Sequence, residues 1–390
     1  MKVAYVTPRY GEEVVGGAEH AARMLAERLH DQLQWDVEVF TSCALDASTW
    51  RNHFHAGTTE LNGVRVHRFA TEHERHGDFL KTSARVHANP TLASIPDQQL
   101  WIEQQGPFTP SMIPVLARSD ADVFAFYPYL YYPTVHGIPA VKGKTVMHPA
   151  AHDEVPIRMS LFASVFAATN GFVFQTDGER RLVEQLFPLA DRPQMTLGLG
   201  VDPQQGDVEG FRKESGVGDR PYVVCVGRVD DGKGSRLLAK YFTEYKRRFP
   251  GPMQLAFVGP VMNDQEPTDD IVITGPVSEE HKWGALRGAE CLISPSAYEA
   301  FSIVLLEGWA AGKPVLVNAA CLATREHVVK SHAGLWFDGY LSFETALEQL
   351  LQNHKVSKAL AAAGTRYVDE HFRWPDLIAR YGAFLCSLAN

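Results

Sequence analysis

In the segment PSAYEAFSIVLLEGWAAGKPVLVN, Glu299 and Glu307 stand eight positions apart on either side of an apolar turn. The run after Phe301 predicts a helix beginning near Ser302, with Glu299 just ahead of it and Glu307 inside it. The first amides of a helix have no intrahelical acceptor and lie at the positive end of its dipole. The N–H groups of Ser302, Ile303 and Val304 would therefore converge on one spot suited to a phosphate. Two carboxylates flanking that spot can accept hydrogen bonds from hydroxyls. Taken alone, the pair is equally a solvated Glu307 and a Glu299 favoured by the helix dipole.

Four further groups could do chemistry. In GRVDDGKG, Arg228 and Lys233 follow the apolar run PYVVCV, at the kind of strand end where α/β sheets bind ligands. Gly227, Gly232 and Lys233 fit G-x4-G-K, but Gly234 stands where a nucleotide triphosphatase needs Ser or Thr for magnesium, which argues against that chemistry. The plainer alternative is a pair of surface cations in a loop. In VVGGAEH, Gly16 and Gly17 lie between the first strand and the first helix, where a backbone without Cβ can come close to a bound group; an ordinary tight loop reads the same way. KTVMHPAAHDEVPI carries His148, His152, Asp153 and Glu154. The spacing of the two histidines suits a metal mainly on a helix, and Pro149 with the strand before it opposes that geometry. In ITGPVSEEHKWGAL, finally, Pro276 and Val277 occupy a turn between a strand and a helix.

The elements that must position these groups alternate. KVAYVT, the glycine loop and AEHAARMLAERLH read as strand, loop and helix. DVEVFTS, GVRVHRFA, DVFAFY, KTVMHP and GFVFQT are short apolar runs suited to a sheet covered on both faces. Residues 71–119 break this rhythm with a His-, Pro- and polar-rich stretch that holds helical fragments such as Pro96 to Gln105, read as an insertion. The rhythm restarts near residue 203 with PYVVCVGR, MQLAFVG, DIVITG, ECLISPS, PVLVNA and AGLWF. RYVDEHFRWPDLIARYGAFLCSL is helical on both sides of Pro375, which forces a break or a kink.

A chain of 390 residues, 45% apolar and 21% charged, fits two globular domains better than one. The formal charge of −9 supplies no basic field for a nucleic acid. Five separated cysteines, with no metal spacing, read as buried thiols in a reducing compartment. The opening strand has no leader-like h-region and no apolar run reaches eighteen residues, so a cytoplasmic location is expected.

Glu299 and Glu307 resemble the E-x7-E signature of retaining glycosyltransferases of the GT-B fold, in particular glycosyltransferase family four, the glycosyl transferases group 1. The GR…KG element, the glycine loop and a histidine motif resemble the same family, over nearly the whole chain. The resemblance implies an α/β architecture of two Rossmann-like domains facing across a cleft. These would be an acceptor-binding domain over residues 1–202, a nucleotide-sugar-binding domain over 203–370, and a final helix over 371–390 expected to pack on the first domain. It implies that Glu299 holds donor-sugar hydroxyls and Glu307 the ribose. Arg228, Lys233, Gly16, Gly17, Ser302, Ile303 and Val304 would take the diphosphate, and Pro276 and Val277 the base. His152, which fits the histidine motif better than His148, would lie beside the sugar. It further implies retention at the anomeric carbon, a UDP- or GDP-hexose donor, a hydroxyl-bearing acceptor, and no cofactor. The sole D-x-D triplet, Asp120-Ala121-Asp122, precedes its strand, so no metal is expected. A lipid-linked acceptor would bring the protein to the inner face of the membrane. Two other readings stay open: a nicotinamide-dependent dehydrogenase, which lacks G-x-G-x-x-G here, and a sugar-nucleotide-binding subunit without turnover.

Overall fold

A computed structural model describes residues 1–14, 16–189 and 191–389. The chain divides into two compact units, one of Met1–Leu199 with the C-terminal segment from Pro375, the other of Gly200–Trp374. No described helix is long and apolar enough to cross a membrane.

The first unit is built on eight strands: β1 (Lys2–Val6), β2 (Asp36–Ser42), β3 (Gly57–Leu61), β4 (Val64–Phe69), β5 (Val123–Phe126), β6 (Lys144–Met147), β7 (Gly171–Phe174) and β8 (Gln194–Thr196). Their order is β3-β4-β2-β1-β5-β6-β7-β8. Every pairing is parallel except β3 with β4. Val3, Ala4, Tyr5 and Val6 are wholly buried, as a central strand covered by helices on both faces requires. The irregular stretch 71–119 contributes three helices, Phe79–His87, Ile95–Gln105 and Met112–Leu116. Trp101, Ile102, Met112 and Leu116 from these helices enter the core of the unit, so the stretch is part of the packing.

The second unit carries β9 (Tyr222–Val226), β10 (Gln254–Val258), β11 (Ile271–Ile273), β12 (Leu292–Ser294), β13 (Val315–Asn318) and β14 (Gly334–Phe337). The order β11-β10-β9-β12-β13-β14 is parallel throughout. The chain runs outward from β9 to one edge and returns to fill the other side from β12. The carboxyl ends of β9 and β12 therefore flank the point where the winding reverses, the place where such sheets bind ligands.

Helix His354–His371 stops at Phe372, and helix Trp374–Ala389 begins two residues later with Pro375 in its first turn, where a missing N–H deprives the helix of no bond. This last helix is tied into the first unit. The Tyr381 hydroxyl lies 3.0 Å from that of Tyr5 on β1 and 2.8 Å from His148 Nε2 just past β6, and all three side chains are buried.

Candidate active site

The loop after β9 takes its shape from glycine and one aspartate. Gly227 leaves the strand at φ 133° and donates its N–H to Val258 O at 2.9 Å. Gly259, at φ 142°, lies so close beneath it that a Cβ there would collide with the Gly227 carbonyl. Asp230 then closes the loop: its Oδ1 accepts the Lys233 N–H at 2.7 Å, and its carbonyl accepts the Ser235 N–H at 3.2 Å and hydroxyl at 3.0 Å. Gly234 turns into helix Ser235–Arg248 at φ 76°, where a Cβ would lie 2.7 Å from Pro295 O, so this turn sits against the end of β12.

That contact brings two of the sequence-derived groups together. Lys233 Nζ lies 2.7 Å from Glu299 Oε1, and both side chains are partly accessible, at 33% and 16%. Arg228 projects further into solvent, with Nε 3.4 Å from Asp230 Oδ2. Helix Ile303–Ala310 begins where the sequence places it, with Ser302 in the left-handed region at φ 70° and ψ 72°. The Ser302 hydroxyl makes no capping bond, so the opening turn presents backbone N–H groups with no side chain of its own laid across them.

Glu307 differs from the solvated residue that its helical position alone allows. It is 7% exposed, and its Oε1 accepts from Lys282 Nζ at 2.8 Å. Its Oε2 is buried and makes no hydrogen bond. Burial pushes the Glu307 carboxyl above the usual carboxylate range while the Lys282 ammonium opposes the rise. Lys282 also reaches Glu279 at 2.8 Å. It belongs to helix Glu279–Gly288, which Ser278 caps by accepting the His281 N–H at 3.1 Å. Pro276 and Val277 form the turn leading into this helix, Pro276 exposed and Val277 half-buried. Lys282 and Asp230 were not singled out in the sequence, since each acts through a partner or a loop geometry that no local spacing announces.

The remaining groups lie in the first unit. Gly16 packs on a buried ion pair, and a Cβ there would collide with the Glu19 carboxylate. Arg9 Nε donates to Glu19 Oε1 at 2.9 Å, and Arg9 Nη1 donates to Leu45 O at 3.0 Å. Gly17 has open space where a Cβ would stand. The two histidines separate sharply. His148 is buried, stacks on Tyr127 with centroids 4.8 Å apart, and is lowered to about 3 by that burial. His152 stands in the loop beyond, 37% exposed, with Nε2 3.4 Å from Glu154 Oε2. Glu154 Oε1 in turn accepts from the Tyr129 hydroxyl at 2.8 Å.

Two α/β units on largely parallel sheets, the second wound about a switch point in its strand order, make up the GT-B fold. The solved structure of sucrose-phosphate synthase from Thermosynechococcus elongatus shares this fold at a TM-score of 0.71 and 16% identity, over 99% of this chain and 98% of that one. Anabaena HepE, solved in complex with UDP and glucose, shares it at 0.71 and 13%, over 100% of both chains. Residues 207–367 match the family described as glycosyl transferases group 1. The GDP-mannose-dependent alpha-(1-6)-phosphatidylinositol monomannoside mannosyltransferase of Mycobacterium tuberculosis is 26% identical over 270 residues, 64% of this chain and 70% of that protein. Its counterpart in Mycolicibacterium smegmatis is 28% identical over 193 residues, 45% of this chain and 50% of that protein. The second unit is thus a glycosyl transferases group 1 domain, and the protein is a glycosyltransferase.

Proposed function

We propose that the protein transfers a hexose from a nucleotide-diphosphate sugar to a hydroxyl-bearing acceptor, with retention at the anomeric carbon and without a metal ion. The observation that carries the donor site is the buried Glu307 Oε2, an acceptor with no partner in the second turn of helix Ile303–Ala310. A buried carboxylate oxygen left without a donor costs on the order of 1–3 kcal/mol, and a ribose hydroxyl would relieve it. Glu299 then takes donor-sugar hydroxyls. Arg228, Lys233 and the N–H groups of Ser302, Ile303 and Val304 take the diphosphate. Pro276 and Val277 meet the base through their backbone.

In the reaction the bond from the anomeric carbon to the diphosphate oxygen breaks while the acceptor oxygen bonds to that carbon from the same face. The acceptor proton passes to the departing phosphate. Negative charge grows on the leaving group, so fixed cations and helix N–H groups lower the barrier most where they meet that oxygen. Lys233, already 2.7 Å from Glu299, can serve the phosphate and the Glu299 carboxylate at once. His152 meets the sugar as a hydrogen-bonding group. Retention and metal independence rest on the likeness to group 1 enzymes.

GDP-mannose is the donor to try first, because the mycobacterial relatives named for it share 26–28% identity with this chain. UDP-glucose, which is bound in a structure of HepE, comes next. A lipid-linked sugar is the matching acceptor class, reached from the cytoplasmic face of a membrane. The test is turnover of a panel of UDP- and GDP-hexoses by the purified protein, with released nucleoside diphosphate quantified with and without EDTA. An α-linked product from an α-linked donor, formed at the same rate in EDTA, is expected. Inverted product, or activity only with added divalent metal, would contradict the proposal.

A further inference from the structure

Glu179 is a carboxylate 4% exposed in the first turn of helix Asp177–Leu186, in the first unit. Thr176 caps this helix by accepting the Glu179 N–H at 3.1 Å, and the T-x-x-E spacing is that of a capping box. In a capping box the N3 carboxylate reaches back to the N–H of the N-cap residue, here Thr176. Glu179 Oε2 reaches one residue further back and accepts the Gln175 N–H at 2.7 Å. Its other oxygen reaches a different element: Oε1 accepts the Ala151 N–H at 2.8 Å, in the loop between β6 and His152. The neighbouring Ala150 stands at φ 50°, a left-handed conformation that costs a residue with a Cβ about 1 kcal/mol and persists only where its surroundings impose it.

Burial also pushes the Glu179 carboxyl up to about 7, against the pull of the backbone N–H groups. A helix cap on the surface would hold the same N–H group without that desolvation, so capping does not account for the placement. We propose that Glu179 is a positioning residue for His152, its two oxygens pinning the loop through Ala151 to the start of helix Asp177–Leu186 so that the imidazole emerges at one fixed place. The proposal rests on the reading of His152 as the group that meets the donor sugar.

The test is a double-mutant cycle of Glu179→Gln and His152→Ala, with kcat and donor KM measured separately. The introduced amide has the same size as the carboxylate but one acceptor oxygen in place of two. Glu179→Gln is expected to lower kcat on the order of tenfold or more with little change in donor KM, the scale of a displaced catalytic group. In the His152→Ala background the same change is expected to alter kcat by less than about twofold, because the group it positions is gone. A full loss in both backgrounds, with His152→Ala itself impaired, would overturn the positioning role alone. A fully active His152→Ala would overturn the reading of His152 and the proposal with it. Amide hydrogen exchange in the wild-type protein gives a second readout that does not depend on the variant folding. The Ala151 and Gln175 N–H groups should be protected alike, and fast exchange at Ala151 would overturn the clamp.

Discussion

Glu307 has one oxygen on Lys282 and the other buried without a donor, the observation behind its proposed contact with the ribose. A ribose contact is made equally before and during bond breaking, so Glu307→Gln should raise donor KM on the order of tenfold and leave kcat nearly unchanged. Initial-rate kinetics check this, and a collapse of kcat at constant KM would remove Glu307 from the ribose. With Lys233 proposed to meet the growing charge and Glu299 the sugar, Lys233→Ala should lower kcat on the order of a hundredfold and Glu299→Ala should abolish turnover while circular dichroism stays native. At this scale the sequence was legible wherever the chemistry sits in one short segment. The segment from Pro295 to Asn318 places Glu299, Ser302 and Glu307 together by spacing alone. Lys282 was not legible, because its partner lies 25 positions away and the two meet only once two helices pack. The two histidines four positions apart read alike in sequence. Burial against Tyr127 and Tyr381 is what sets His148 apart from the accessible His152.

The helix start at Ser302 and the loop of Gly227 to Gly234 do their work through backbone, and substitution at their special conformations tests this. Ser302 holds φ 70° with no capping bond from its hydroxyl, so Ser302→Gly should keep donor KM and leave stability equal or raised by about 0.5–1 kcal/mol. Thermal melts and kinetics decide it, and loss of donor binding would show that the hydroxyl, not the N–H groups, meets the phosphate. Gly259→Ala forces a Cβ onto the Gly227 carbonyl at φ 142°. It should cost about 1–3 kcal/mol and weaken donor affinity by shifting the loop that carries Arg228 and Lys233. Unchanged melting and unchanged affinity would mean the close approach is without consequence. The apolar strand runs were readable as elements because a parallel sheet buried on both faces demands continuous Val, Ile, Leu and Phe. Two strands escaped that signal. β3 (GTTEL) is an exposed edge with one apolar residue, and β8 (QMT) is three residues long. The stretch 71–119 likewise hides its contribution, because Trp101, Met112 and Leu116 are scattered among polar residues until the helices bring them inward.

At the scale of the molecule, buried ionisable groups make stability depend on pH with opposing signs. His148 falls from the ordinary 6.5 to about 3 when folded. The unfolded chain therefore takes up its proton first, and the stability it contributes is complete above 6.5 and lost as pH falls from there toward 3. Glu179 rises from 4.5 to about 7, so its contribution is complete below 4.5 and lost as pH rises toward 7. Comparing wild type with His148→Gln isolates the histidine: the stability of wild type relative to the variant should fall by about 2 kcal/mol between pH 7 and pH 5 in chemical denaturation. A pH-independent difference would show that His148 is not held neutral. The division of the chain at Gly200 and Trp374 gives each unit its own sheet, and Arg228, Lys233, Glu299 and Glu307 all lie in the second. The most direct test of donor binding in the second unit is calorimetric titration of the protein with GDP and UDP, repeated on Lys233→Ala and Glu307→Gln. At least one nucleoside diphosphate should bind without added metal, and each substitution should weaken it on the order of tenfold or more. Equal affinity in wild type and both variants, or no binding of either nucleotide, would contradict it.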